Sequence, residues 1–209
     1  MLFMHEVLTP ASSRQNDLID RVSWIHSYMQ KHPGFLRGCI SRYLGSSTEY
    51  LVFRWWQSPE DLADHGRNPE IPNWGANRPE GIYLVPPRTT RWELTSSEGA
   101  QTAGFFVRNI YRPASDVSGD LEKTVSAHLE RAKSEQQVLG AEIYRSAQDT
   151  EELKGAVLSI VRFDDRDAYN TYLQGPLVVE LDETADQREL LVSGCYEVVR
   201  EALPHAPAK

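Results

Sequence analysis

Tyr50-Leu-Val-Phe-Arg-Trp-Trp-Gln-Ser-Pro-Glu-Asp-Leu-Ala-Asp-His65 is the stretch that decides the fold. Tyr50 to Trp56 is dense in β-branched and aromatic residues and predicts a strand. Ser58 then offers an N-cap oxygen and Pro59 fits the first helical position. Glu60 and Asp61 sit where a helix dipole favours acids. A related stretch recurs at Val157-Leu-Ser-Ile-Val-Arg-Phe-Asp-Asp-Arg-Asp-Ala-Tyr-Asn-Thr-Tyr172. Strand followed directly by capped helix therefore occurs twice.

The flanking sequence repeats in the same order. Leu2 to Thr9 predicts a strand ended by Pro10, and Ser12 with Gln15 makes a capping-box signature. Leu18, Val22, Ile25 and Met29 mark one helix face, stopped by Pro33-Gly34. Gly38 to Leu44 predicts a strand, Gly45 to Thr48 a hairpin turn, and Thr89 to Leu94 the closing strand of the half. Thr95 to Gly104 is small and polar, as in a linker. The series then restarts. It runs through a strand from Phe105, a helix face at Leu121, Val125, Leu129 and Ala132, strands over Gly140 to Arg145 and Leu158 to Phe163, a helix to Leu173, and a strand over Ser193 to Val199. Trp56 falls on Phe163, Pro69 on Pro176, and Arg91-Trp-Glu-Leu on Cys195-Tyr-Glu-Val.

Each half thus predicts a ferredoxin-like β-α-β-β-α-β unit. The expected division is 1–97 and 104–203, with a linker over 98–103 and a frayed tail over 204–209. One antiparallel sheet covered by helices on one face leaves the other bare, at a cost of ~25 cal/mol per Å² of apolar surface. Two such sheets remove that cost by covering each other. The expected fold is α+β: tandem ferredoxin-like repeats packed as a pseudo-twofold α/β barrel.

The chain has 209 residues, 40% hydrophobic and 25% charged, as in ordinary globular proteins. The formal charge is −8 without a Lys/Arg cluster, which argues against nucleic-acid binding. No apolar run is long enough to span a bilayer, and the first residues do not resemble a signal peptide. Cys39 and Cys195 match no metal or redox spacing, so reduced thiols in a cytoplasmic protein are expected. The six histidines form no zinc-type pattern, and no nucleotide or iron motif is visible; neither a cofactor nor a metal is expected.

His32-Pro-Gly-Phe-Leu-Arg-Gly38, the stretch from Tyr50 to His65, and Asn68-Pro69 resemble the antibiotic biosynthesis monooxygenase (ABM) family of dimeric α/β barrels. The family pattern is a helix ending in Pro-Gly-Phe, a strand ending in an Arg-Trp-like pair, and a short capped helix with a His near its end. The second half follows it more weakly, with Phe163 for Trp56 and Tyr172 for His65. The resemblance implies the fold, as a tandem fusion of two ABM-like halves. The superfamily includes cofactor-free oxygenases of polyketides, haem-degrading enzymes and isomerases, and fold alone does not choose among them.

Alternation along the key strand places Leu51, Phe53 and Trp55 on one face and Tyr50, Val52, Arg54 and Trp56 on the other. The first set is expected to meet the helices and the second to face the barrel interior. Arg54 among aromatics needs a partner: a buried pair with Glu6, Glu93 or Glu197, or an anionic ligand. His65, where the family pattern has its His, is the candidate base. The long segment from Arg67 to Arg88, with Asn68, Asn73, Trp74, Asn77 and Tyr83, suits a lid over a flat substrate. The resemblance thus implies a cofactor-independent monooxygenase acting with dioxygen on an aromatic polyketide-like phenol or anthrone. His65 is its base, Arg54 and Asn68 hold the oxyanion, and Tyr50, Trp56, Trp74 and Tyr83 line the ring site. The alternatives are an isomerase or cyclase on a similar substrate, or a binding protein for a hydrophobic small molecule or haem. A fused chain completes its own barrel, so a monomer or a homodimer is expected.

Overall fold

The computed structural model of the chain describes residues 1–46, 48–69, 80–113, 121–132, 135, 137–148, 150–174 and 188–204. The elements are β1 (Leu2–Leu8), α1 (Gln15–Met29), β2 (Phe35–Tyr43), β3 (Tyr50–Trp56), α2 (Pro59–Arg67), β4 (Arg88–Gly99), β5 (Phe105–Pro113), α3 (Leu121–Ala132), β6 (Val138–Ser146), β7 (Val157–Phe163), α4 (Arg166–Leu173) and β8 (Arg188–Ala202). The order β-α-β-β-α-β therefore occurs twice, as the repeat predicts. The chain forms two compact units, Met1–Arg91 with Val198–Lys209, and Trp92–Glu197. The hydrogen-bonded order of the strands is that of a closed barrel, β1-β3-β2-β8-β5-β7-β6-β4. Among the described residues no helix is long and apolar enough to cross a membrane.

In the first unit β3 is the central strand. It pairs antiparallel with β1 from Leu2↔Trp56 to Leu8↔Tyr50, and with β2 from Phe35↔Trp56 to Arg42↔Tyr50. Every residue of β3 is buried. Leu18 and Val22 of α1 pack on Tyr50, Val52, Ile40 and Leu8, while Trp56 packs with Leu2, Met29, Phe35 and Leu62. Fully burying each aliphatic side chain is worth about 1.5–3 kcal/mol. The face of Tyr50, Val52, Arg54 and Trp56 therefore meets the helices, the reverse of the expectation. Leu51, Phe53 and Trp55 point the other way, where Phe3 lies 5.0 Å from Phe53 and the Arg37 guanidinium sits 3.8 Å over the Trp55 ring. The reason is that both faces of a central strand are dry, so polarity along it does not tell them apart. Arg54 does not mark an inward face; it reaches into the groove between sheet and helices.

Helix α2 starts as its sequence dictates. Ser58 is the N-cap and its hydroxyl accepts from the Asp61 N–H at 3.1 Å. The Gln57 N–H donates to the Gly34 carbonyl at 2.8 Å. A Cβ on Gly34 would lie 2.2 Å from Cγ of Asp61, so the Pro-Gly-Phe turn is what lets α2 sit close to the sheet. Helix α1 starts differently from expectation. Its first residue is Gln15 behind Arg14, which makes no side-chain cap bond. Ser13 takes a φ of 62°, a left-handed turn that puts Ser12 too early to cap.

In the second unit β7 is central, paired with β5 from Phe105↔Phe163 and with β6 from Val138↔Phe163. Strand β4 runs on through Thr95 to Gly99, residues that read as a polar linker. It pairs with β6 from Trp92↔Ser146 to Gly99↔Gly140. Two glycines allow this: a Cβ on Gly99 would lie 2.4 Å from the Leu139 carbonyl, and one on Gly140 2.2 Å from the Ala100 carbonyl. The pairing partner, not the local polarity, decides this stretch.

Candidate functional site

Within the first unit a cavity of about 350 Å³ lies between the sheet and helices α1 and α2. Its apolar wall comes from Met4, Val22, Ile25, Met29 and Leu62, and Tyr83 and Pro87 close one side. Its polar wall is Glu6, Arg21, Arg54 and His65. Tyr83 is held there by backbone pairing: the Leu84 N–H donates to the Thr9 carbonyl at 2.8 Å and the Ala11 N–H to the Ile82 carbonyl at 2.9 Å.

Arg54 is 5% exposed. Met4 lies directly opposite it on β1, so Glu6 is its diagonal neighbour on the same face. Arg54 Nη1 donates to Glu6 Oε2 at 2.8 Å. Glu6 is thus the partner realised among the three foreseen. Arg54 Nε is buried and has no hydrogen-bond partner among the described residues. Opposite Arg54 on β2 is Gly38, and the His26 ring of α1 fills the space a side chain there would need, its Cε1 2.9 Å from the absent Cβ.

His65 projects from α2, buried beside Trp56, with ring centroids 5.0 Å apart. His32 meets it edge-on at 5.6 Å. The Gly34 N–H donates to His32 Nδ1 at 3.1 Å, which puts the proton of neutral His32 on Nε2. Burial, then His32, then the Arg54 charge pull the His65 pKa down from 6.5 to about 4. His65 is therefore uncharged at neutral pH. Its Nε2 is buried without a partner among the described residues. His26 is likewise held well below its ordinary value, by burial first and by Arg54 second.

Of the residues singled out in the sequence, the structure brings Arg54, His65 and Tyr83 to one cavity. Trp56 is fully buried behind His65, and Tyr50 packs into the neighbouring apolar cluster. Asn68 is exposed at the C-cap of α2, where its N–H donates to the His65 carbonyl at 3.3 Å. Trp74, Asn73 and Asn77 lie outside the described residues. Two cavity residues escaped the sequence reading. Glu6 was seen only as an ion-pair partner. Arg21 sits beside Val22 and three residues after Leu18, on the edge of the apolar stripe of α1; a charged residue at that edge was the available signal. Among the described residues no group of three or more His, Cys, Asp or Glu is placed to hold a metal ion.

The second unit fills the equivalent positions differently. The repeat sets Glu6 against Asn109, Arg21 against Thr124, Arg54 against Val161 and His65 against Tyr172. Val161, Phe163 and Tyr172 belong to one apolar cluster with Tyr169 packed on it. The Tyr172 hydroxyl lies 3.3 Å from His128 Nε2, and burial, then the Tyr111 and Glu135 charges, push its pKa up to about 12. Asn109 Oδ1 accepts from the Ser193 hydroxyl at 2.7 Å. None of the three charges in the first cavity recurs.

Residues 1–76 match the family model of the antibiotic biosynthesis monooxygenases. They hold every element that lines the cavity except the segment with Tyr83 and Pro87. The fold is that of the ABM-related ferredoxin-like proteins. Solved structures support it over nearly the whole chain. A protein of Fusobacterium nucleatum provisionally named a monooxygenase is 11% identical with a TM-score of 0.74, covering 97% of this chain and 94% of its own. An anthrone oxidase-like protein is 15% identical at 0.68, covering 99% and 94%. A Lactobacillus acidophilus protein, also provisionally named a monooxygenase, is 14% identical at 0.65, covering 97% and 96%. At such identities the likeness is one of fold. A search of curated proteins gives no significant match.

Proposed function

We propose that this chain is a cofactor-independent oxygenase of a flat aromatic phenol or anthrone, working from the first-half cavity. One observation carries this reading: an uncharged imidazole and a buried guanidinium face the same apolar cavity, each with a nitrogen free of protein partners among the described residues. The apolar wall accepts a ring system, and its size lies at the lower end of small-molecule sites.

The chemistry follows from those groups. His65 Nε2 takes a proton from the activated methylene of the substrate. The charge left on the conjugated oxygen is held by Arg54, a donor already in place and screened little by water. The carbanion passes electrons to dioxygen and a carbon–oxygen bond forms. The resulting hydroperoxide loses water, so CH₂ and O₂ become C=O and H₂O, and the substrate supplies all four electrons. Trp56 and His32 hold the His65 ring; Ile25, Met29, Leu62 and Tyr83 wall the substrate. Asn68, exposed at the helix end, takes no part. The name of one fold relative, anthrone oxidase-like, agrees with this substrate class but at 15% identity does not carry it. We further propose that the second half descends from the same ABM-like unit, divided from the first at 98–103. With neither Cys39 nor Cys195 in a disulfide, we propose a cytoplasmic site of action.

Incubation with anthrone under air and under argon tests the reaction. Product that forms only with dioxygen is expected. Conversion unchanged under argon overturns the oxygenase and leaves an isomerase or cyclase using the same base. One observation favours a second reading: a histidine with a pKa of about 4 is a weak base. A protein that only sequesters the aromatic ligand would bind it tightly and turn nothing over.

A further inference from the structure

We propose that Met4 and Met29 are the oxygen acceptors of the first-half cavity: an organic hydroperoxide held there oxidises their thioethers to sulfoxides, and this shuts the cavity. This rests on reading the cavity as the site where an aromatic substrate is peroxidised, but its test does not need turnover.

The chain has three methionines, Met1, Met4 and Met29, and two of them line this one cavity. They come from different elements, β1 and α1, and both pack in the apolar cluster around Trp56. The repeat sets Met4 against Val107 and Met29 against Ala132, so thioethers here are not a demand of the fold. A thioether fills space much as a leucine side chain does, but its polarizable sulfur is also oxidised to a sulfoxide. Met4 lies directly across from Arg54 in the β1–β3 ladder, with its side chain on the same face. A peroxide in this cavity therefore has a sulfur nucleophile and a cation for the departing oxygen side by side.

Sulfur gives an electron pair to the outer peroxide oxygen, the O–O bond breaks and an S–O bond forms. The proton of the hydroperoxide passes to the departing oxygen, whose charge Arg54 holds meanwhile. Thioether and R–OOH thus become sulfoxide and R–OH. In the proposed oxygenation this diverts the hydroperoxide before it loses water, so one alcohol replaces one ketone for each sulfoxide formed. Met29 is 7% exposed and Met1 39%, with Met4 half-buried. An oxidant in bulk water therefore reaches Met1 first, whereas one bound in the cavity reaches Met4 and Met29. A sulfoxide oxygen adds a polar group to a wall otherwise built of Val22, Ile25 and Leu62, so the oxidised cavity holds a ring less well.

Treating the full chain with cumene hydroperoxide tests this. That aryl peroxide has no hydrogen on its peroxidic carbon, so loss of water to a ketone is closed to it. Hydrogen peroxide is the comparison, and peptide masses report the gain of one oxygen at each methionine. Cumene hydroperoxide is expected to oxidise Met4 and Met29 at least about fivefold faster than Met1, because binding raises its local concentration. Hydrogen peroxide is expected to oxidise Met1 first. Added naphthalene is expected to slow the oxidation of Met4 and Met29 by cumene hydroperoxide and not that of Met1. After treatment, naphthalene is expected to bind about tenfold more weakly. The Met4→Leu, Met29→Leu double variant, which conserves volume, is expected to keep through treatment the affinity it had before. Met1 leading with both peroxides overturns the proposal. So does naphthalene binding left unchanged once Met4 and Met29 are sulfoxides, and neither outcome needs the variant to fold. Anthrone left unconverted in air removes the oxygenase and leaves this result standing. Anthrone converted while cumene hydroperoxide spares Met4 and Met29 removes only this inference.

Discussion

His65 is held in its uncharged form by its surroundings. Burial removes water from the imidazolium, and His32 and Arg54 add repulsion. In an NMR titration of the intact chain, the His65 resonance is expected to shift with a midpoint near pH 4, and that of His26 also below 6.5. A His65 midpoint at 6.5 would contradict its burial. The same environment sets its use. An imidazolium beside Arg54 is disfavoured in the empty cavity; in the proposed reaction the oxyanion formed at Arg54 offsets that repulsion, so His65 would become a stronger base as the substrate ionises. His65→Gln, which keeps the shape and removes the base, is expected to lower turnover of a bound anthrone by about 10²–10⁴. Turnover within twofold of the parent would remove His65 from the mechanism. Arg54 also has a structural part. Replacing it by Met leaves Glu6 facing the groove with 18% side-chain exposure. The expected loss is roughly 2–4 kcal/mol in urea unfolding, somewhat below that for a fully buried pair. Adding Glu6→Gln to Arg54→Met is expected to recover part of it, because the unpaired charge is then gone.

Helix α2 carries His65 to the cavity, and its placement was legible in the sequence. Ser58, Pro59 and the two acids predict where it starts, and the Ser58 cap forms as expected. Ser58→Ala is expected to cost about 1 kcal/mol of stability. Gly34→Ala is the sharper test. Its Cβ would meet the Asp61 side chain at 2.2 Å, so α2 must shift, and a loss of about 1–3 kcal/mol together with a weakened cavity is expected. An unchanged melting curve for Gly34→Ala would show that α2 is not held by that contact. What the sequence hid has a physical cause. Strand β3 is buried on both faces, so its alternation carried no sign, and the Arg54 face was expected to look into the barrel interior where it meets the helices. Glu6 and Arg21 lie on other elements and join Arg54 only through register and helix packing, which no local pattern encodes. The extension of β4 through Thr95 to Gly99 depends on two glycines 41 residues apart in sequence, Gly99 and Gly140, meeting in one ladder.

At the scale of the molecule, the two units fill equivalent positions with different chemistry. Val161, Phe163 and Tyr172 close the second unit with apolar contacts where the first has Arg54, Trp56 and His65. The two halves should therefore differ in both acid response and chemistry. His65 and His26 have folded values below 6.5, so the unfolded chain binds more protons from about pH 4 to 6.5. Stability from these groups is complete above pH 6.5 and falls as pH drops through that window, by at most roughly 3 kcal/mol for His65. Urea midpoints measured across that range should show a shallower slope for His65→Gln than for the parent chain; parallel slopes would place the acid response elsewhere. The chemical asymmetry has its own test. Tyr172 is the positional counterpart of His65, but burial holds its hydroxyl protonated up to about pH 12, so it offers no base at neutral pH. Tyr172→Phe removes the contact to His128 and little else. It is expected to keep the parent's turnover and to lose about 1 kcal/mol of stability, whereas His65→Gln keeps the fold and loses the turnover. If Tyr172→Phe instead lowered turnover as far as His65→Gln, the second half would be a working partner in the reaction and the filled cluster around Phe163 would need to open.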